Sequence, residues 1–577
     1  MVTKVLALLA LVLAPLAGAQ TAYRLLQADY QGRQIGSKHY SADGYVTLPR
    51  GSAKPYKAVM VLPVNSTSPE ALADYTQQKS SLSCVLLVLP SSWDSSGMPA
   101  ADASNLLRLE QQLLAAPAQV PVFFAKETAA LADAVAETHA MFERGAPPTL
   151  QTDRYQLALQ GKMPTQLASK QATNYVATLR AADDHLKLGV PPPPALLLTA
   201  HFDSFSLAPG SPAGADAAAS GAAACLLLLR LLHRLYASPE TRPSRNVMVL
   251  LTTGGPYGQQ GLLHWAADAD PAQLEAIEAA IVLDSIGGSV AVQQQAATDS
   301  LRRQQPQLHM HHAADSSSSS SSSNVAWVDA VAAAAARMGV QLTAVQQEVA
   351  AGTDAAAAAS ASLGHEHLAR KGVPAVSLSY MTAAPVGQQP RVSSLADTAA
   401  AINLDRVLDA AQVAADAISR WLYPQLEPQL CLLDLSSEPQ QHRDFLAGWI
   451  KLLSTAPSMM PFDKADPGIS LLHENIFQFM RTHSHSAKRH MWTPAGTPAS
   501  ITAFGGTTAT MRVLKAAGFM QDMLLLAAVL LYLGGLWVVL VVATRGWAEL
   551  RAMWAPKPAT RRRNTKGGSS SNSSKRS

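Results

Sequence analysis

Three groups of polar residues punctuate apolar runs at a spacing that would suit a divalent metal. His201-Phe202-Asp203 follows the run ALLLTA at residues 195–200. Asp216 opens an alanine-rich stretch in which Ser220-Gly221 follow, and Asp284 ends the run AAIVLD before Ser285-Ile286-Gly287. A histidine and two aspartates brought together at strand ends match the nitrogen and carboxylate ligands that zinc takes. Zinc held there would activate a bound water and polarise a carbonyl, which is the chemistry of hydrolysis. The competing reading is that the same side chains now make only local hydrogen bonds, and the rest of the sequence favours it.

These residues need a scaffold that gathers strand ends along one edge. Residues 191–423 alternate strand-like and helix-like periods: 195–200, 246–253, 280–284 and 373–380 read as buried strands, 217–236 and 398–423 as helices. Such alternation predicts an α/β fold, a mostly parallel sheet flanked by helices, with sites at the strand C-termini. Ahead of it, residues 20–190 hold strand-like runs at 58–62, 84–89 and 121–125 and read as an N-terminal α/β unit. Residues 424–522 read as a membrane-proximal helical region. His309–His312 and the serine tract at 316–323 fall between elements and read as a variable loop.

The motifs H-x-D, G-A-D-x-x-x-S-G and L-D-x-I-G, in this order, resemble the zinc exopeptidases of the M28 family. The resemblance implies that His201, Asp216 and Asp284 stand at metal-ligand positions, with Asp203 as the carboxylate that orients the histidine. It also requires a Glu-Glu pair after the strand at 246–253, one glutamate a ligand and the other the general base. That place is taken by Gly255-Pro256, and no glutamate lies between Glu240 and Glu275. The last ligand should be a histidine four residues before Asp397-Thr398, where Ser393 stands. His365 or His367 would have to replace it, and no spacing argument brings either there. His201, Asp216 and Asp284 are therefore relic positions: no catalytic residue, no bound metal and no cofactor are expected.

The ends of the chain are simpler. Lys4, an apolar run and Ala17-Gly18-Ala19 read as a signal peptide over residues 1–19. Residues 523–543 form an uncharged apolar run long enough to cross a bilayer, preceded by Asp522 and followed by Arg545. The chain carries a formal +4, but residues 545–577 carry nine basic side chains against Glu549, so the remainder is about −4 and the high pI belongs to the tail. A nucleic-acid-binding body is thereby excluded. Basic residues stay cytosolic, which places the body in the lumen and 544–577 in the cytosol. Asn65-Ser66-Thr67 is then a lumenal glycosylation sequon, while Asn572 is not modified. Cys84, Cys225 and Cys431 are too few and too widely spaced for a disulfide framework.

Over most of its length the chain resembles the membrane-anchored, inactive branch of the M28 superfamily. The segments YRLLQADYQGRQIGSKHY, HFDSFSLAPG, TTGGPYGQQG, HEHLARKGVPAVSLSY and ISRWLYP carry that resemblance. It implies a non-catalytic subunit of an endoplasmic reticulum membrane complex. The implied partners are a large lumenal protein of the Nodal-modulator type, a small polytopic membrane protein, and the Sec61 translocon with its ribosome. Two alternatives remain: an active aminopeptidase with relocated ligands, and a receptor-like module that binds polypeptide in the relic cleft.

Overall fold

The protein is described by a computed structural model covering residues 19–548 and 551, except 31, 50–56, 78–81, 94–97, 144–154, 167–170, 183–191, 212, 290–306, 315–320, 348–362, 383–390, 428–429, 456–466, 494–500 and 516–518. The signal-peptide residues 1–18, most of the basic tail with Asn572, and the first part of the serine tract lie outside the described residues.

The N-terminal lobe begins with β1 (Gln20–Arg24), β2 (Gln27–Tyr30), β3 (Arg33–Gly36) and β4 (Ser41–Thr47). It continues through β5 (Ala58–Pro63), α1 (Pro69–Gln77), β6 (Leu82–Leu89), α2 (Ala100–Ala115), β7 (Val122–Lys126), α3 (Ala129–Glu143) and β8 (Tyr155–Gly161). Strands β5, β6 and β7 pair in parallel and are apolar along nearly their whole length, because both of their faces are covered. Alternate residues enter separate cores. Met60, Leu62, Val85 and Leu87 pack with Leu72 of α1 and Leu106 of α2, whereas Val59, Val61, Cys84 and Leu86 pack with Leu131 of α3.

The second sheet holds the candidate site. Its elements are β9 (Ala172–Leu179), β10 (Ala195–His201), α4 (Gly221–Ala237), β11 (Asn246–Thr252), α5 (Gln260–Asp268), α6 (Pro271–Glu275) and β12 (Ile277–Leu283). Then come β13 (Leu308–Ala313), α7 (Ser321–Met338), β14 (Leu342–Gln347), α8 (Gly364–Arg370), β15 (Ala375–Ser379) and α9 (Leu404–Leu422). Helices α10 (Pro439–Thr455) and α11 (Pro467–Thr482) lead to β16 (Ser486–Trp492), β17 (Ile501–Ala503) and β18 (Thr508–Lys515). The strand order is β14-β13-β15-β12-β10-β11-β9-β16. The middle strands β15, β12, β10 and β11 are parallel; β9, β16 and the β13–β15 contact add antiparallel pairing. Every residue of β10 and β11 is buried, which explains why their sequences are mostly apolar. Helix α4 is as apolar as a membrane span, yet it is the core helix of this sheet, packed against β10 and α9. Asn403 caps α9, its side chain accepting from Asp405 N at 2.9 Å.

Three expectations are corrected. The sheet starts at Ala172, ahead of residue 191, because β9 pairs with β11. Residues 424–522 are not helical throughout: β16 joins β9, β17 pairs with β2, and β18 pairs with β1 to complete a barrel in the order β1-β18-β8-β4-β5-β6-β7. His309–His312 is not a loop but the body of β13. All of its residues except His312 are buried, and His311 Nε2 lies 2.9 Å from Met381 O. The second unit holds α12 (Phe519–Arg545), a single apolar helix whose Leu side chains and Trp537 are exposed and whose Val541 is buried. At 1.5 Å per residue its length suffices for a bilayer.

Candidate functional site

His201 is the last residue of β10, in register with Thr252 of β11, and Asp284 follows β12. Parallel pairing brings both to the C-terminal edge, where His201 Nδ1 lies 4.0 Å from Asp284 Oδ2. Burial pushes the His201 imidazole down to about 4, so the ring is neutral at pH 7.

The other predicted positions are occupied differently. Asp216 sits in a π-helical turn, Ala215–Ser220, that opens α4. Its carboxylate accepts from Gly287 N at 2.6 Å, Ser289 N at 2.7 Å and Ser220 Oγ at 3.1 Å. Both oxygens are thus tied to the loop after β12. Asp203 was expected to orient the histidine; instead it accepts from Gly254 N at 2.7 Å and Gly255 N at 3.1 Å. It braces the loop where the Glu-Glu pair was expected. Burial drives the Asp203 carboxyl up to about 7 and raises that of Asp216 as well.

Gly255 lies directly against His201. A Cβ built there would fall 2.2 Å from His201 Cγ and 2.3 Å from Cδ2. A glutamate therefore has no room at this position without displacing the imidazole. Ser393, at the expected last ligand, is buried and donates its N–H to Phe205 O at 2.6 Å. His365 Nδ1 pairs with Ser377 Oγ at 2.9 Å, and His367 Nε2 lies 2.9 Å from Gly258 O. Asp397 caps the π-turn, accepting from Asp216 N at 2.7 Å and Ala217 N at 2.9 Å.

The residue that sequence reasoning missed is Arg391. Its Nη1 donates to both oxygens of Asp284, at 2.8 and 3.0 Å, and its Nη2 donates to Ser285 Oγ. Burial alone would raise the Asp284 carboxyl, but the guanidinium outweighs it and holds the acid below the usual range. The only signal in the sequence was a cation in the polar stretch where a histidine ligand was sought. These residues do not fit a zinc ion. Asp284 is held by a guanidinium and Asp216 by backbone N–H groups. Among the described residues no cluster of three or more His, Cys, Asp or Glu side chains could hold a metal.

Comparison with known proteins finds relatives of two kinds. The sequence profile of Peptidase family M28 matches residues 174–418. A zebrafish (Danio rerio) protein named BOS complex subunit ncln is 23% identical over 93% of this chain and 92% of its own. The human (Homo sapiens) BOS complex subunit NCLN is 22% identical over 82% of each chain. A Caenorhabditis elegans protein named nicalin is 30% identical over 42% of each. A zinc aminopeptidase from Bacillus subtilis, 14% identical, aligns with 75% of this chain and 92% of its own at a TM-score of 0.31. The chain is thus similar to the BOS complex subunits along most of its length, and residues 174–418 are similar to Peptidase family M28.

Proposed function

We propose that the protein is a non-catalytic subunit of an endoplasmic reticulum membrane complex, the BOS complex of its relatives, in which a peptidase fold serves as a binding platform. The observation that carries the non-catalytic reading is the contact of Gly255 with His201, which leaves no space for a glutamate side chain at residue 255. Membership of the complex is supported by the names of relatives aligned along most of the chain. The resemblance extends the reading to association with the Sec61 translocon and ribosome during multipass protein insertion. It also supplies the partners, a Nodal-modulator-like lumenal protein and a small polytopic membrane protein.

The proposed topology is type I, with α12 crossing the membrane, the body in the lumen and the basic tail in the cytosol. Asn65 follows β5 in an exposed turn, accessible to a glycan. Tagged protein recovered from gently solubilised membranes should bring down both partners and carry one glycan that Asn65→Gln removes. The purified lumenal body should hydrolyse no aminoacyl substrate with zinc added. Recovery without either partner, or zinc-dependent turnover lost in His201→Ala, would overturn the reading.

A further inference from the structure

Arg391 is fixed at its backbone as well as at its guanidinium. Its N–H donates to Pro256 O at 2.7 Å, and Ser393 N donates to Phe205 O. Leu395 N then donates to Glu110 Oε1 of α2 at 2.8 Å, and Asp397 takes the N–H groups that open α4. Residues 391–397 thus run as a strap across the strand ends. They join the loops after β10 and β11 to the start of α4 and to the N-terminal lobe. The Arg391 side chain is 8% exposed and the Asp284 side chain 0%.

We propose that Arg391 is the resident cation of this site, taking the electrostatic place of a metal ion on Asp284. The strap that carries it makes the strand ends a closed structural joint rather than a cleft for peptide. One guanidinium nitrogen, Nη1, donates to both carboxylate oxygens while Nη2 holds Ser285 Oγ, so the cation is fixed at both nitrogens. Zinc could reach Asp284 only by leaving a buried guanidinium unpaired, which opposes its binding. This inference does not rest on the assembly role and survives or fails without it.

The test uses full-length protein in detergent as wild type, Arg391→Met, Arg391→Lys and Asp284→Asn with Arg391→Met. Wild type should take up no stoichiometric zinc, and zinc should leave its thermal midpoint unmoved. Arg391→Met should lower the midpoint by about 5 °C, because a buried carboxylate loses its partner. Lysine should restore part of the loss. The double variant should restore more than half of it, since no uncompensated charge remains. One zinc per wild-type chain, lost in His201→Ala, would overturn the proposal, as would an unchanged midpoint in Arg391→Met. If Arg391→Met does not accumulate, the double variant decides: wild-type yield supports the pairing, and its failure sinks it.

Discussion

Two buried aspartates of the sheet domain are neutralised by arginine, and they are built differently. Asp284 has Arg391, whose guanidinium is enclosed. Asp416, on α9, has two arginines: Arg337 from α7 through Nε at 2.9 Å and Nη2 at 2.6 Å, and Arg420 through Nε at 3.1 Å. Those arginine side chains are 28% and 20% exposed. They border an open groove of about 600 Å³ lined also by Trp327, Trp421 and alanines of α7. Surroundings and redundancy, not the ion pair itself, decide how much each pair matters. An enclosed single partner cannot be replaced by water, whereas a second arginine and solvent can cover for the first.

The comparison breaks most sharply at Asp416 when both arginines go. Arg337→Ala with Arg420→Ala should cost about 4 kcal/mol, the range for a buried charge left alone. Either single change should cost only about 1 kcal/mol, with a strongly non-additive cycle in chemical denaturation. Equal and additive single losses would show that the two arginines do not share the charge.

Packing on the Asp284 side supplies the next test. Gly255→Ala forces a methyl group into the His201 ring and should destabilise by about 3 kcal/mol, read as a lower denaturation midpoint. Gly255→Glu should fold no better and should hydrolyse no aminoacyl substrate with zinc added. A stable, active Gly255→Glu protein would mean that the edge is open.

Glu110 tests the strap by pH. Burial pushes its carboxyl up to about 7, above its ordinary value, despite the Leu395 N–H it accepts. The folded state therefore holds the proton more tightly than the unfolded state. Its contribution is favourable at low pH and is lost as pH rises from about 4.5 through about 7. Glu110→Gln keeps the acceptor and removes the charge. It should gain about 2 kcal/mol relative to wild type at pH 8 and almost nothing at pH 5. Parallel stability curves for the two proteins would remove Glu110 from the joint.

The smallest effect belongs to the open groove. Ala330→Leu adds bulk on its exposed α7 wall and should change stability by less than about 0.5 kcal/mol. A loss as large as that of Gly255→Ala would show the groove to be as closed as the other edge.

Much of this was legible in the residues, and what was not has a physical cause. The mostly apolar runs at 195–200, 246–253 and 280–284 are short and alternate with helical periods, so they read as covered strands, and the edge with His201 and Asp284 followed from that pattern. The β13 histidines misled because polar residues in a short run give no periodic apolar signal. Their burial comes from β14 and β15 on either side and from Met381 as a partner, all distant in sequence. Residues 486–515 misled for a related reason. Their strands find pairing partners in β9, β2 and β1, more than 300 residues earlier, and nothing local announces such contacts.

The sequence by itself determined which groups were present for chemistry: a histidine and aspartates at strand ends, no glutamate between Glu240 and Glu275, a serine at residue 393, and an apolar run at residues 523–543. Side-chain identity is local information, and the absence of a base is legible wherever its position is known. Only the tertiary structure decided what the remaining groups do. Asp284 and Arg391 are 107 residues apart, and their pairing depends on the strap being held by Pro256, Phe205 and Glu110 at once. Gly255 excludes a side chain because β10 and β11 run in register and set His201 against it. Such contacts arise from the convergence of distant segments on one edge, and spacing along the chain carries no trace of it.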